Sequence, residues 1–136
     1  MNKHTKRAME LRNETPMVNN CAQTILRTYA DELKLSEEQA AGLGCNFGGG
    51  MKCGGVCGAV TSSLMVLGAM GVGEPDRIKE FRQRITDNHD GMINCADLLK
   101  ANAARGGVRK EHCDAMICEA IGLIDEFAGQ KEETEE

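Results

Sequence analysis

The chain has 136 residues, enough for one domain whose core buries on the order of two-thirds of the unfolded surface, with no need of a second. Apolar residues make up 41% but aromatics only 3%, so the core has to be built from Ala, Leu, Ile, Val, Met and Gly, a set that suits closely approaching helices. The net charge of -5 comes without a basic block, which excludes the footprint of a nucleic-acid binder, and no stretch approaches the roughly 18 uninterrupted apolar residues of a membrane span. Met1 to Glu14 carries no apolar export signal, so a cytoplasmic protein is expected.

Lys3 to Arg12 reads as a short helix of mixed polarity. Thr15-Pro16 predicts a cap followed by proline at the first helical position. The helix it opens carries Val18, Cys21, Ala22, Ile25, Leu26 and Tyr29 in one apolar stripe. Ser36-Glu37-Glu38-Gln39 matches a capping box, and Gly42 and Gly44 close the short helix behind it. The run from Phe47 to Gly55 is too rich in glycine for a regular element and is expected as a loop. From Val56 to Met70 a helix carries Cys57, Val60, Thr61, Leu64 and Gly68 on one face, beside the small residues Gly58, Ala59, Ser62 and Ser63, which let another helix come close. Glu74-Pro75 starts a charged surface helix to about Asn88, and Asn94 caps a short one with Cys95, Leu98 and Leu99. The last helix, about Arg109 to Ala128, has Cys113, Met116, Ile117, Ala120, Ile121, Ile124 and Phe127 as its stripe. Gln130 to Glu136 is acidic and lacks apolar residues, which predicts a disordered solvated tail. The expected fold is all-α: a compact bundle of about five to six helices with a glycine-rich loop over residues 1–129, and the tail over 130–136.

Seven cysteines without an export signal point to metal binding or redox chemistry, since a reducing compartment gives little support to a disulfide framework. A single cysteine on an apolar face is ordinarily just a small hydrophobe. Cys21, Cys57, Cys95 and Cys113 carry more weight together, because each begins or lies within the apolar face of a separate helix, and the four can converge at one end of the core. Cys57, Cys95 and Cys113 also stand near predicted helix N-termini, where free amides and the helix dipole stabilise the thiolate that ligation and nucleophilic attack both require. No Cys-x-x-Cys pair exists, so tight zinc and iron–sulfur loops, thioredoxin-type motifs and the haem attachment motif are absent. Cys118 lies about 140° round the helix from Cys113 and faces elsewhere. Cys45 and Cys53 are auxiliary, with Cys53 placed to substitute as a ligand or resolving thiol. The glycine run does not match a phosphate loop. Its expected use is a backbone nest, with Gly48, Gly49, Gly50 and the following Gly58 at thiolates or bridging sulfides. The histidines read as solvated, and the eight methionines as core filling.

Cys21 in an early helix, Phe47-Gly48-Gly49-Gly50, then Cys57-Gly58-Ala59-Val60-Thr61, then Cys95 and Cys113: in this pattern the chain resembles the C_GCAxxG_C_C family, from about Val18 to Phe127. That family is described only as redox-active, and the resemblance carries its four shared cysteines onto Cys21, Cys57, Cys95 and Cys113. Ser62 departs from the pattern, standing where Cys-Gly-Ala-x-x-Gly ends in glycine, which removes no sulfur ligand. The family is in turn similar to part of the split-Soret cytochromes, helical dimers that bind an iron–sulfur centre besides haem. The resemblance therefore implies a cluster and a homodimer, but not the haem.

The leading expectation is electron transfer or redox sensing through an iron–sulfur cluster on these four thiolates, with a redox protein as partner. The alternative is thiol–disulfide chemistry without metal, in any of three pairings of the four cysteines. A third class is a helical interaction or dimerisation module with no metal or with structural zinc, for which the long gaps between these cysteines are atypical. No acid–base set, nucleophile triad or cofactor fingerprint names a particular enzyme.

Overall fold

The computed structural model describes residues 2–135, with side chains described as far as position 130. Among the described residues there are eight α-helices and no strand, so the fold is all-α, with more helices than expected. They are α1 (Lys3–Arg12), α2 (Cys21–Thr28), α3 (Ala30–Leu33), α4 (Glu37–Gly44), α5 (Gly58–Ala69), α6 (Pro75–Asp87), α7 (Cys95–Ala104) and α8 (Arg109–Glu135). The excess arises partly at Tyr29, whose backbone (φ -100, ψ 10) closes α2 and splits α3 from it. The backbone of α8 is helical as far as Glu135, through most of the segment expected as a tail; its side chains from position 131, and Glu136, lie outside the described residues.

The second helix corrects the sequence reading. It starts at Cys21 and not at Pro16; the Thr15-Pro16 bond is cis and belongs to the connection, and Val18 is exposed rather than part of the stripe. The cause is a stronger start signal four residues on. The Asn20 side chain accepts from the Gln23 amide (2.8 Å), and the Gln23 side chain accepts from the Asn20 amide (3.0 Å), a reciprocal capping box. Asn20 also donates to the carbonyl of Gly44 (3.2 Å), so one side chain both starts α2 and fastens the end of α4 to it. Asn20→Ala is expected to cost about 1–2 kcal/mol, measurable by urea unfolding.

Helices α2, α5 and α8 pack against one another at the centre; α1 lies against α2 and α8, α4 against α2, and α7 against α8. The α8 stripe of Met116, Ile117, Ala120, Ile121, Ile124 and Phe127 is buried as its spacing predicts, each large member contributing about 1.5–3 kcal/mol. Helix α6 is attached by Phe81 and Ile85, with the Phe81 ring edge-on to Phe127 at 5.6 Å. Ser62 and Ser63 are fully buried in α5, and their hydroxyls donate to the carbonyls of Gly58 and Ala59 one turn back. The departure from glycine at position 62 is thus absorbed within the helix.

Two of the histidines expected in solvent are instead tied into the fold. His4 stacks on Tyr29 (4.2 Å between centroids) and bridges Glu32 (2.7 Å) and Asp125 (3.0 Å), while the Tyr29 hydroxyl donates to Asp125 at 2.8 Å. His89 pairs with Glu119 at 2.8 Å. Neither position lies on a periodic apolar stripe, which is why spacing alone could not place them.

The glycine run forms a single left-handed turn rather than an irregular loop. Gly49, Gly50, Met51 and Lys52 have φ of 65°, 64°, 57° and 59°. Met51 and Lys52 each cost about 1–2 kcal/mol in this conformation. The turn is closed by a hydrogen bond from the Gly55 amide to the Gly50 carbonyl (2.8 Å), and a side chain on Gly50 would collide with the Gly55 carbonyl. It delivers the chain to a two-residue bridge, Val56 opposite Asn94, flanked by Cys57 N–H to Ile93 C=O (2.9 Å) and Cys95 N–H to Gly55 C=O (2.7 Å).

A four-cysteine cavity as the candidate functional site

Cys21 is the first residue of α2, Cys57 caps the start of α5, Cys95 is the first residue of α7, and Cys113 lies in the second turn of α8. All four line one cavity of about 400 Å³. The late start of α2 therefore sharpens the expectation: four helices, not three, begin at this cavity and turn their positive ends toward it. The bridge between Val56 and Asn94 holds Cys57 and Cys95 in register, and the Asn20 cap fixes Cys21.

The other predicted positions divide. Gly49 and Gly58 line the cavity, whereas Gly48 sits against the Asn20 side chain and Gly50 against Gly55. Among the described residues no hydrogen bond runs from Gly48, Gly49 or Gly50 to a cysteine sulfur; the amides that face Cys57 belong to Ala59 and Val60 at the start of α5. A side chain on Gly58 would meet the Phe47 carbonyl, so this glycine lets the capping turn close over the cavity. Cys53 is exposed and its sulfur lies 3.5 Å from the Gly50 carbonyl, outside the cavity, and the exposed Cys45 is outside it too. Cys118 is half-buried and faces away, in keeping with its helical phase.

Three cations, Arg12, Arg109 and Lys110, line the cavity together with His112, Met17, Leu98, Leu99 and Met116, and no carboxylate does. In a chain of 21 acidic and 16 basic residues this local excess is a property of the site. Arg12 is 3% exposed; its Nε donates to Asp114 at 2.7 Å and its Nη1 to the Asn19 carbonyl at 2.7 Å. It thereby ties the segment before Cys21 to the residue after Cys113. None of these cations was singled out from the sequence, because Arg12 reads there as an ordinary basic residue in the last turn of a helix and the others as surface charge.

The four thiols are unequal. The neighbouring Cys21 side chain lowers Cys113 to about 6, with Arg12 and Arg109 adding to the effect against the opposing influence of burial. Cys21 is raised in turn, first by the Cys113 side chain and then by burial. Burial raises Cys57 against the helix amides, and burial followed by the charge of Cys113 raises Cys95. Metal-free protein at neutral pH thus carries one thiolate and three thiols at the cavity. In the metal-free, reduced protein, iodoacetamide labelling of Cys113 is expected to fall off as pH drops through about 6, while Cys21, Cys57 and Cys95 stay unreactive until well above neutrality. Peptide mass mapping across pH 4–10 reads this, and a Cys113 profile with no inflection below about pH 8 contradicts it.

Residues 19–127 match the model of a protein family described as "Putative redox-active protein (C_GCAxxG_C_C)". The chain belongs to this family. The match takes in all four cavity cysteines and the Cys57-Gly58-Ala59 element, and it leaves α1, with Arg12, outside. No curated protein and no solved structure matches the chain. No described helix is long and apolar enough to cross a membrane.

Proposed function

We propose that this C_GCAxxG_C_C protein is an electron-transfer or redox-sensing protein that holds an iron–sulfur cluster on Cys21, Cys57, Cys95 and Cys113. The observation that carries this reading is the convergence of four thiols and four helix N-termini on one cavity lined by cations and no carboxylate. A cluster bound by four thiolates is anionic, and its charge is stabilised by helix dipoles, free amides and nearby guanidinium groups. Among the described residues no three His, Cys, Asp or Glu side chains are grouped tightly enough for a single ion. Four thiols around one cavity are the ligand number of a two-iron or four-iron cluster. When bound, the cluster supplies a one-electron couple. The chain's own residues supply the thiolates, release about three protons from Cys21, Cys57 and Cys95 on loading, and offset the charge with Arg12 and Arg109.

Anaerobic purification or reconstitution with iron and sulfide tests this: about four thiolate-ligated sites filled by one two-iron or four-iron cluster, with visible absorption that bleaches under dithionite. Protein that stays colourless and free of iron and sulfide after reconstitution overturns it. A second reading is favoured by the pairing of Cys21 with Cys113 in the cavity, where the two side chains shift each other in opposite directions. There the Cys113 thiolate attacks a disulfide and releases one thiolate, and Cys21 resolves the mixed disulfide to a Cys21–Cys113 bond and releases the second leaving group with its proton, so two electrons and the Cys21 proton pass to the oxidant. Mass mapping of the mildly oxidised metal-free protein identifies or excludes that bond.

A further inference from the structure

Behind the wall that carries Cys57 and Cys95 lies a second concavity of about 800 Å³. Its floor is apolar, built from Val56, Val60, Leu64 and Ile93, and Met51 stands at its edge on the left-handed turn. Met51 and Val56 are 57% and 39% exposed, so the floor opens to the surface. Lys79 and Arg82 of α6 form its rim, and no carboxylate lines it. The other cations of this helix are paired, Arg77 with Glu80 and Arg84 with Glu126 at 2.8 Å. Lys79 and Arg82 make no ion pair among the described residues, and both are exposed. The groove also abuts the thiol cavity through the shortest covalent route. Val56 and Asn94 line the groove, and each is followed directly in the chain by a cysteine of the cavity.

We infer that this groove is the docking face for an acidic redox protein, which exchanges electrons with the four-cysteine site through the Val56–Cys57 and Asn94–Cys95 segments. The inference rests on the proposed function above and names the partner of that same site. An apolar floor inside a cationic rim is the pattern of a transient interface, with the floor excluding water and the rim steering an oppositely charged partner. Two cations are too few to hold a phosphate backbone, and a cationic rim around an apolar floor fits a protein face that sets carboxylates around an apolar centre. In the transfer itself the partner's reduced carrier loses one electron and the cluster gains it, with no bond made or broken. The reverse reaction runs when the partner is the acceptor.

The test uses the full chain with its cluster, and an acidic flavodoxin in its hydroquinone form as reductant, followed by stopped flow. Each transfer converts one hydroquinone to semiquinone and reduces one cluster. Lys79→Glu with Arg82→Glu is expected to slow this reaction at least about tenfold at low salt and to flatten its dependence on ionic strength. Leu64→Ser, which removes apolar floor without changing charge, should slow it without flattening that dependence. Lys6→Glu with Lys100→Glu, the same change in net charge outside both concavities, should have little effect. Dithionite, which needs no docking, should reduce all variants at one rate. Equal flavodoxin rates in the wild type and the Lys79/Arg82 variant, while dithionite reduces both, overturn the docking face and leave the cluster standing. Protein that holds no cluster and is not reduced by dithionite fails at the earlier step. A change in sedimentation, rather than in electron transfer, on charge reversal assigns the groove to a second copy of the chain and overturns the partner proposed here.

Discussion

Cys113→Ser is expected to remove the redox response of this protein almost entirely, with affinity for an iron–sulfur cluster falling by at least about 100-fold. Cys113 is the one cavity cysteine that is a thiolate at neutral pH without metal, it pairs with Cys21, and it meets the fields of Arg12 and Arg109. Serine keeps the shape and removes the soft anionic ligand. Iron and sulfide analysis after anaerobic reconstitution measures the loss, and a Cys113→Ser protein with a full, reducible cluster contradicts the assignment. Cys57→Ser separates the two kinds of chemistry. Cys57 caps α5 and lies outside the Cys21–Cys113 pair, so its loss should abolish cluster binding yet leave a Cys21–Cys113 disulfide able to form. Cys118→Ser, with its sulfur outside the cavity, should match the wild type in both assays.

The second large effect concerns the frame on which Cys21 is mounted. Gly44→Ala is expected to destabilise the protein by about 3 kcal/mol, roughly a 10 °C fall in melting temperature. A methyl group there would lie 2.7 Å from the Gln23 amide nitrogen, 2.8 Å from its Cα and 2.9 Å from the Ala22 carbonyl carbon. All three are backbone atoms of α2, so no flexible side chain can give way, and relief requires α4 to move off α2. Such a movement strains the Asn20 to Gly44 hydrogen bond and with it the start of the helix at Cys21. Gly42→Ala, two residues earlier in the same helix, meets nothing within 4 Å and should raise stability by about 0.5–1 kcal/mol through helix propensity. Thermal unfolding of the pair tests the packing directly, because the substitution and the helix are the same and only the neighbour differs.

Periodic apolar spacing was enough to read the all-α class and the stripe of α8, and the Ser36 to Gln39 spacing was enough for the capping box, because each depends on residues close in sequence. The four cavity cysteines were readable for a related reason: each sits at a helix start or on a stripe, so helix geometry alone turns them inward. Competing local signals defeated the start of α2. Thr15-Pro16 resembles a cap, but Asn20 and Gln23 form two reciprocal hydrogen bonds where proline offers none. The left-handed turn was out of reach because it places Met51 and Lys52, not only glycines, at positive φ, and what holds it is the closure onto Gly55 rather than local preference. The cationic lining and the groove were invisible for a deeper reason. Arg12 becomes informative only when its burial beside Cys21 and Cys113 is known, and Lys79 and Arg82 only when the carboxylate-free lining of the groove is, and both are properties of tertiary neighbours.

Arg12 also bears on where this protein begins as a working unit. The family match opens at residue 19, after α1 has ended, yet α1 contributes the buried guanidinium that bonds the Asn19 carbonyl and Asp114 and lines the thiol cavity. A chain trimmed to the matched span would keep every cysteine. It would lose one wall of their cavity, leave the Asp114 carboxylate without its guanidinium partner, and expose the faces of α2 and α8 that Ala8 and Leu11 now lie against. The matched span is therefore shorter than the piece of chain that builds the cavity around its cysteines.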